Sequence, residues 1–201
     1  AIKRLQEAAI WAEEMFHTPL VVCYSGGKDS QALLHLAHMA NIPFSVRHNV
    51  TTADAPETMS TVKRTAQWCS DRGIEMDINY PDTTMWKLIV EKCYPPTRLA
   101  RYCCEHLKER NAHNTFIATG VRNAESTKRK SRATFDVVAK SPNHRAHFSD
   151  EVMLSNDNDE KRRLIERCIP KATMCVNPII DWTNAQIATL ADRKSGSAGM
   201  P

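Results

Sequence analysis

The apolar run Leu20-Val21-Val22-Cys23-Tyr24 stops at Ser25-Gly26-Gly27-Lys28-Asp29-Ser30, and helical periodicity begins directly after it. A short apolar run bounded by Pro19 and a glycine pair predicts a buried strand. Over residues 30–40, Leu33, Leu34, Leu36, Ala37 and Met39 recur at the spacing of a helix. This order places the backbone N–H groups of the loop at a helix N-terminus. Paired glycines let the chain turn tightly and leave those groups uncovered, while the helix adds the positive end of its dipole. Ser25 and Ser30 contribute hydroxyls and Lys28 a point charge, all suited to phosphate oxygens. The spacing is not G-x-x-x-x-G-K-[ST], so the loop is no Walker A motif. An ordinary Gly-Gly turn with an Asp-Ser cap is the bland alternative, but the strand before and the helix after favour an anion site.

The same alternation continues along the chain. Residues 3–16 carry Leu5, Ala8, Ala9, Ala12 and Phe16 on one face and predict an opening amphipathic helix. A second strand is predicted over 44–50 after Pro43, and a helix over 55–72 with Pro56 in its first turn, where a missing N–H costs nothing. Alternation over 74–78 predicts a third strand. Short helices follow over 83–93, ended by Pro95-Pro96, and over 103–112. A fourth strand is expected over 115–119, before Gly120. Strands separated by helices predict an α/β fold, doubly wound, with a mostly parallel sheet and helices on both faces. Residues 122–175 are polar and charge-rich and read as a loop-rich insertion or lid, with one hairpin around 134–154. Asn177 to Thr183 then leads into a last helix capped by Thr183. A chain of 201 residues suits a single domain over 1–201.

A net charge of +4 fits an anionic partner without the concentrated basicity of an obligate nucleic-acid binder. No apolar run reaches the length of a membrane span and no signal peptide is evident, so no membrane partner is expected and the expected compartment is the cytosol. Seven cysteines, an odd number, argue against a disulfide framework there and point to buried thiols, metal ligands or redox chemistry.

The hexapeptide Ser25 to Ser30 resembles the PP-loop of the adenine nucleotide α-hydrolase superfamily. The rest of the chain resembles its PAPS reductase-like branch, which also includes DNA phosphorothioation sulfurtransferases. The resemblance runs through Asn49-Val50-Thr51-Thr52, Pro95-Pro96-Thr97-Arg98 with Arg101-Tyr102-Cys103-Cys104, Gly120-Val121-Arg122 with Glu125-Ser126, and Asn177 to Thr183. It implies an ATP-pyrophosphatase-type fold that takes ATP, or the sulfonucleotides PAPS and APS. Carried onto this chain, Ser25, Gly26, Gly27, Lys28, Asp29 and Ser30 hold the phosphates, Asn49 and Thr51 lie near the adenosine, and Gly120 and Arg122 close the pocket opposite. Lys28, Asp29 and Arg122 are the implied catalytic residues, with Asp29 a candidate ligand for Mg²⁺. The implied reaction is cleavage of ATP between its α and β phosphates, adenylating a substrate for sulfur transfer from a sulfur donor. The alternative is sulfonucleotide reduction with a thioredoxin-type reductant. No Glu-Cys-Gly-Leu-His segment occurs in the sequence, which favours adenylation. A nucleotide-sensing module without turnover is a rival of another class.

Two features stay open at this level. Lys128-Arg129-Lys130 with Arg132 reads as a solvated loop, as a lid over the nucleotide's anionic end, or as a footprint for nucleic acid. The adjacent Cys103 and Cys104 precede a helix whose N-terminus lowers a thiol pKa, and Cys168 and Cys175 follow seven residues apart. By the resemblance, Cys103, Cys104, Cys168 and Cys175 would hold a 4Fe-4S cluster; zinc and ordinary packing are the other readings. The closing Cys-x-x-Cys of many relatives is missing.

Overall fold

The computed structural model describes residues 1–97, 99–108, 115–125, 132–138, 146–148, 150 and 173–195. Among them the chain forms helix α1 (Ile2–Phe16), strand β1 (Leu20–Cys23), α2 (Lys28–Met39), β2 (Phe44–Asn49), α3 (Pro56–Ser70), β3 (Met76–Asn79) and α4 (Met85–Lys92). There follow a π-helical turn (Cys104–Lys108), β4 (Phe116–Ala118), a 3₁₀ turn (Asn123–Glu125), β5 (Phe135–Val138), β6 (Ala146–Phe148), β7 (Thr173–Val176) and α5 (Asn184–Ser195).

The strands form one sheet in the order β3-β2-β1-β4-β7-β5-β6. The first five in that order run parallel, with Val22 beside Val46 on one side and Ala118 on the other. The chain lays β2 and β3 on one flank of β1 and returns to place β4 on its other flank. The strand order therefore switches between β1 and β4, and the loops that leave their carboxyl ends border a crevice there.

Alternation along the strands sorts the side chains. Leu20, Val22, Phe116, Ala118, Met174 and Val176 share a core with Leu5, Ala8 and Trp11 of α1, with Leu33, Leu36 and Ala37 of α2, and with Ile187 of α5. Val46 and Tyr24 extend that face to Val62, Trp68 and Cys69 of α3. On the opposite face the π-helical turn is tied to β2, where the Asn49 side-chain amide donates to the Lys108 carbonyl at 2.7 Å.

The local signals read from the sequence account for most of these elements. Pro56 sits in the first turn of α3, and Thr84 caps α4 by accepting from the Lys87 N–H. Thr183 and Gln186 form a reciprocal cap on α5: the Thr183 N–H donates to Gln186 Oε1 at 2.8 Å and the Gln186 N–H to Thr183 Oγ1 at 3.3 Å. The expected hairpin is present as the antiparallel pair β5–β6.

The segment 122–175 differs from a loop-rich lid in one respect. It contributes β7, an interior strand wedged between parallel β4 and antiparallel β5, with all four residues buried. A strand buried on both faces shows no alternation, and four residues give too short an apolar run to stand out from its charged surroundings. The helix expected over 103–112 is a π-helical turn as far as Lys108. Arg98, the run Lys128-Arg129-Lys130, and Cys168 lie outside the described residues.

Candidate active site

Ser25 to Ser30 leave β1 at the switch point and enter α2, as the sequence requires. Gly26 has φ +78°, in the left-handed region, and a Cβ there would lie 2.9 Å from Thr58 Cγ2. Gly27 is the N-cap of α2 at φ −85°. A Cβ on Gly27 would meet only Ser25 Oγ, at an ordinary 3.6 Å. The two glycines therefore do different work: Gly26 makes the turn, and Gly27 begins the helix. Ser30 Oγ donates to the Gly27 carbonyl at 2.8 Å, and Ser25 Oγ donates to Ser30 Oγ at 3.2 Å. These bonds set the loop from within. Ser25, Gly27 and Lys28 stay exposed, and no partner for the Lys28 ammonium occurs among the described residues. A cation beside a helix N-terminus is an arrangement that favours anions.

The loop after β4 closes on the first. A Cβ on Gly120 would fall 3.1 Å from the backbone carbon and oxygen of Asp29 and 3.2 Å from the Ser30 nitrogen. Only a glycine lets the two loops approach so closely. Two residues on, Arg122 is 1% exposed. Its Nη2 donates to Asp29 Oδ2 at 3.1 Å, and its Nε lies 3.0 Å from Asp29 Oδ1. Its Nη1 donates to Asn184 Oδ1 at 3.1 Å and to the Trp182 carbonyl at 3.4 Å. The guanidinium thus ties α2, the loop after β4 and the start of α5 into one frame.

This geometry pairs Asp29 with Arg122. Both oxygens of Asp29 face the guanidinium, Oδ2 as a hydrogen-bond acceptor and Oδ1 in charge contact alone. Arg122 Nη1 and Nη2 are both bonded to protein acceptors, while Nε meets Asp29 in charge contact alone. The residues that lock it, Asn184 and the Trp182 carbonyl, carry no recognisable signal in the sequence.

Asn49 and Thr51 stand at the carboxyl end of β2. Asn49 accepts from Asn79 Nδ2 at 3.1 Å while donating to Lys108, so it joins β2, β3 and the π-helical turn. The Thr51 N–H donates to Asp54 Oδ2 at 2.6 Å, and Thr52, at φ +61°, accepts from the Met85 N–H at 2.8 Å. The stretch is a shaped rim beside the loop.

Among the described residues, Cys175 is not grouped with Cys103 and Cys104, and Cys168 lies outside them. Among the described residues no group of three or more His, Cys, Asp or Glu is placed to hold a metal. Cys175 lies in β7 beside Ile117 and Asp136 and is 3% exposed. Burial pushes its thiol up to about 12. Its neighbours are a buried polar chain that the sequence did not reveal: Thr119 Oγ1 donates to Asn177 Oδ1, and Asn177 Nδ2 donates to Asp136 Oδ2 and the Ala133 carbonyl. Cys103 and Cys104 lie together at the π-helical turn, where Arg101 Nη2 donates to Cys104 Sγ at 3.3 Å. Burial, and then the neighbouring Cys104, raise the Cys103 thiol pKa, opposite to the lowering expected from a helix N-terminus. His48 is 2% exposed, with Nδ1 2.9 Å from the Tyr24 carbonyl.

A parallel sheet with a Ser-Gly-Gly-Lys-Asp-Ser loop at its switch point, closed by Gly120 and Arg122, defines an enzyme of the PP-loop class. The chain belongs to the phosphoadenosine phosphosulfate reductase domain family, whose model matches residues 19–196. Its fold is similar to that of phosphoadenylyl-sulfate (PAPS) reductase from Candida auris, solved as a phosphate complex, with a TM-score of 0.56 and 15% identity over 95% of this chain and 79% of that one. It is also similar to the U34-tRNA thiolase NcsA from Methanococcus maripaludis, solved with its [4Fe-4S] cluster, with a TM-score of 0.53 and 14% identity over 96% of this chain and 64% of that one. No curated protein sequence matches the chain. No helix of the described residues is long and apolar enough to cross a membrane.

Three outcomes follow from this geometry. Gly26→Ala should lose about 1–2 kcal/mol of stability in urea titration through left-handed strain, whereas Gly27→Ala should fold like the wild type; equal stabilities would contradict the turn assignment. Arg122→Ala leaves the Asp29 carboxylate with no countercharge and should cost about 3–5 kcal/mol, with Arg122→Lys intermediate; a fully stable Arg122→Ala would refute the frame. The Cys175 thiol, at about 12 in the fold against 9.0 for the free group, contributes stability that is fully present below pH 9. That contribution should fall as pH rises from 9 toward 12, because the unfolded chain ionises first. Cys175→Ala should therefore flatten the alkaline decline seen by circular dichroism.

Proposed function

We propose that the chain binds an adenine nucleotide with its terminal anionic groups in the Ser25–Ser30 loop, and cleaves ATP between the α and β phosphates to activate an acceptor for sulfur transfer. The observation that carries this reading is the exposed Lys28, unpaired among the described residues, beside the N-terminus of α2 at the crevice between β1 and β4. Backbone N–H groups of Gly26 to Asp29 would receive the β and γ oxygens, and Lys28 would balance the charge that grows on the leaving pyrophosphate. The rim from Asn49 to Thr52 would face the adenosine. An acceptor oxygen would attack the α-phosphorus in line, the bond to the bridging oxygen would break, and pyrophosphate would leave into the loop with the AMP moiety transferred. A sulfur donor would then displace AMP from the activated acceptor. Arg122 and Asp29 act by keeping the loop in place.

A second reading is supported by the family model over residues 19–196 and by the phosphate held by the similar reductase. In it the same loop takes the phosphate–sulfate end of PAPS or APS, and a dithiol supplies two electrons to release sulfite and the nucleoside phosphate. Neither reading routes a step through a cluster or through a metal held by Asp29.

The experiment that separates them supplies the purified protein with ATP, PAPS or APS and measures pyrophosphate, AMP and sulfite. Adenylation predicts acceptor-dependent pyrophosphate release, reduced at least tenfold by Lys28→Ala, with no sulfite from PAPS in the presence of a dithiol. Sulfite release with no pyrophosphate would move the assignment to the reductase reading.

A further inference from the structure

Of the seven large apolar side chains most exposed among the described residues, five fall between the end of β3 and the π-helical turn: Tyr80, Trp86, Val90, Tyr94 and Leu99. Helix α4 is turned inside out for a solvent helix. Leu88 packs inward at 2% exposed, while Trp86 at 70% and Val90 at 77%, one turn apart, face outward. Tyr94 and Tyr102 are fixed as a perpendicular pair with ring centroids 5.6 Å apart, and the Tyr102 hydroxyl donates to the Tyr94 carbonyl at 2.6 Å. These rings are therefore held in place rather than loosely displayed. The Met85 N–H bond to Thr52 and the Asn49 bond to Lys108 anchor both ends of the stretch to the rim of the nucleotide site.

We infer that this aromatic shelf stacks the unpaired bases of a single-stranded nucleic acid. Open π faces of Tyr80, Trp86 and Tyr94 accept any base, and stacking of this kind is the usual source of sequence-tolerant single-strand binding. The charge around them is mildly basic, with Lys87, Lys92, Arg98, Arg101 and Lys108 against Asp82, Glu91 and Glu105 over residues 80–108. Lys87 and Lys108 are exposed with no acidic partner among the described residues, and Lys92 reaches only Glu91, at 3.9 Å. A protein-docking face of the same size would need acidic or aliphatic complement to those rings and lysines; a sugar-phosphate backbone supplies the charge and bases supply the faces. The shelf does not depend on which reaction the loop performs. If the loop adenylates an acceptor, the shelf sets that acceptor's class as nucleic acid.

The test uses the full chain and a fluorescein-labelled single-stranded oligonucleotide of about 16 nucleotides, with the same sequence as a duplex for comparison, read by fluorescence anisotropy. Single-strand binding should exceed duplex binding and weaken as salt rises. Trp86→Ala should weaken it about tenfold or more, Trp86→Phe should retain most of it, and Lys28→Ala should leave it unchanged. That last variant separates the shelf from the nucleotide loop, because it disables only the latter. Trp86 is exposed, so circular dichroism should show both Trp86 variants folded. Equal binding of single strand and duplex, or a Trp86→Ala variant that binds like the wild type, would overturn the inference. A concentration-dependent dimer in sedimentation that Trp86→Ala abolishes, with no oligonucleotide bound at low salt, would assign the face to a second copy of the chain instead.

Discussion

The pairing of Arg122 with Asp29 is the contact on which the rest of the site depends. It joins the first turn of α2 to the loop after β4, and through Asn184 and the Trp182 carbonyl it fastens both to the start of α5. A buried ion pair contributes little net stability against an apolar replacement, but losing one partner leaves a costly unpaired charge. Its value is positional. With Arg122 Nη1 and Nη2 bonded to α2 and to the start of α5, the loop is held in its turn before any ligand arrives, and less ordering remains to oppose binding.

Around that pair the sheet does the coarse work. Strands β1 and β4 are neighbours although the chain builds β2 and β3 between them, so their two loops meet at one crevice. Gly120 lets the loops touch backbone to backbone, and Gly26 lets the first loop turn. What is left pointing outward is small: Ser25, Gly27 and Lys28 at the helix end, with the Asn49 to Thr52 rim beside them. That economy suits the recognition of a phosphate chain, where geometry and one cation suffice.

Much of this was legible in the residues. The first four strands, the four helices before and between them, the hairpin and the Thr183 cap follow from apolar periodicity, proline placement and capping residues, which act locally. The strand Thr173–Val176 was hidden because a strand buried on both faces has no alternation. The partnership of Arg122 with Asp29 was hidden for another reason. Two charged residues 93 positions apart read equally well as ligand-binding groups, and only the fold reveals that they neutralise each other. The sequence likewise did not show that Cys175 lies in a buried interior strand, beside the polar chain of Thr119, Asn177 and Asp136. The aromatic character of residues 80–102 was equally invisible, because a Trp or Tyr on a helix is ordinarily core.

The central claim is that the loop at the crevice between β1 and β4 is a nucleotide site. It is tested most directly by titrating ¹⁵N-labelled protein with ATP and recording amide chemical shifts. The account predicts saturable shifts concentrated at Gly26, Gly27, Lys28 and Asp29, with smaller ones at Gly120 and Val121 and little change in α1. Saturable shifts confined to other surfaces, with the amides of Gly26 to Asp29 unmoved, would contradict it.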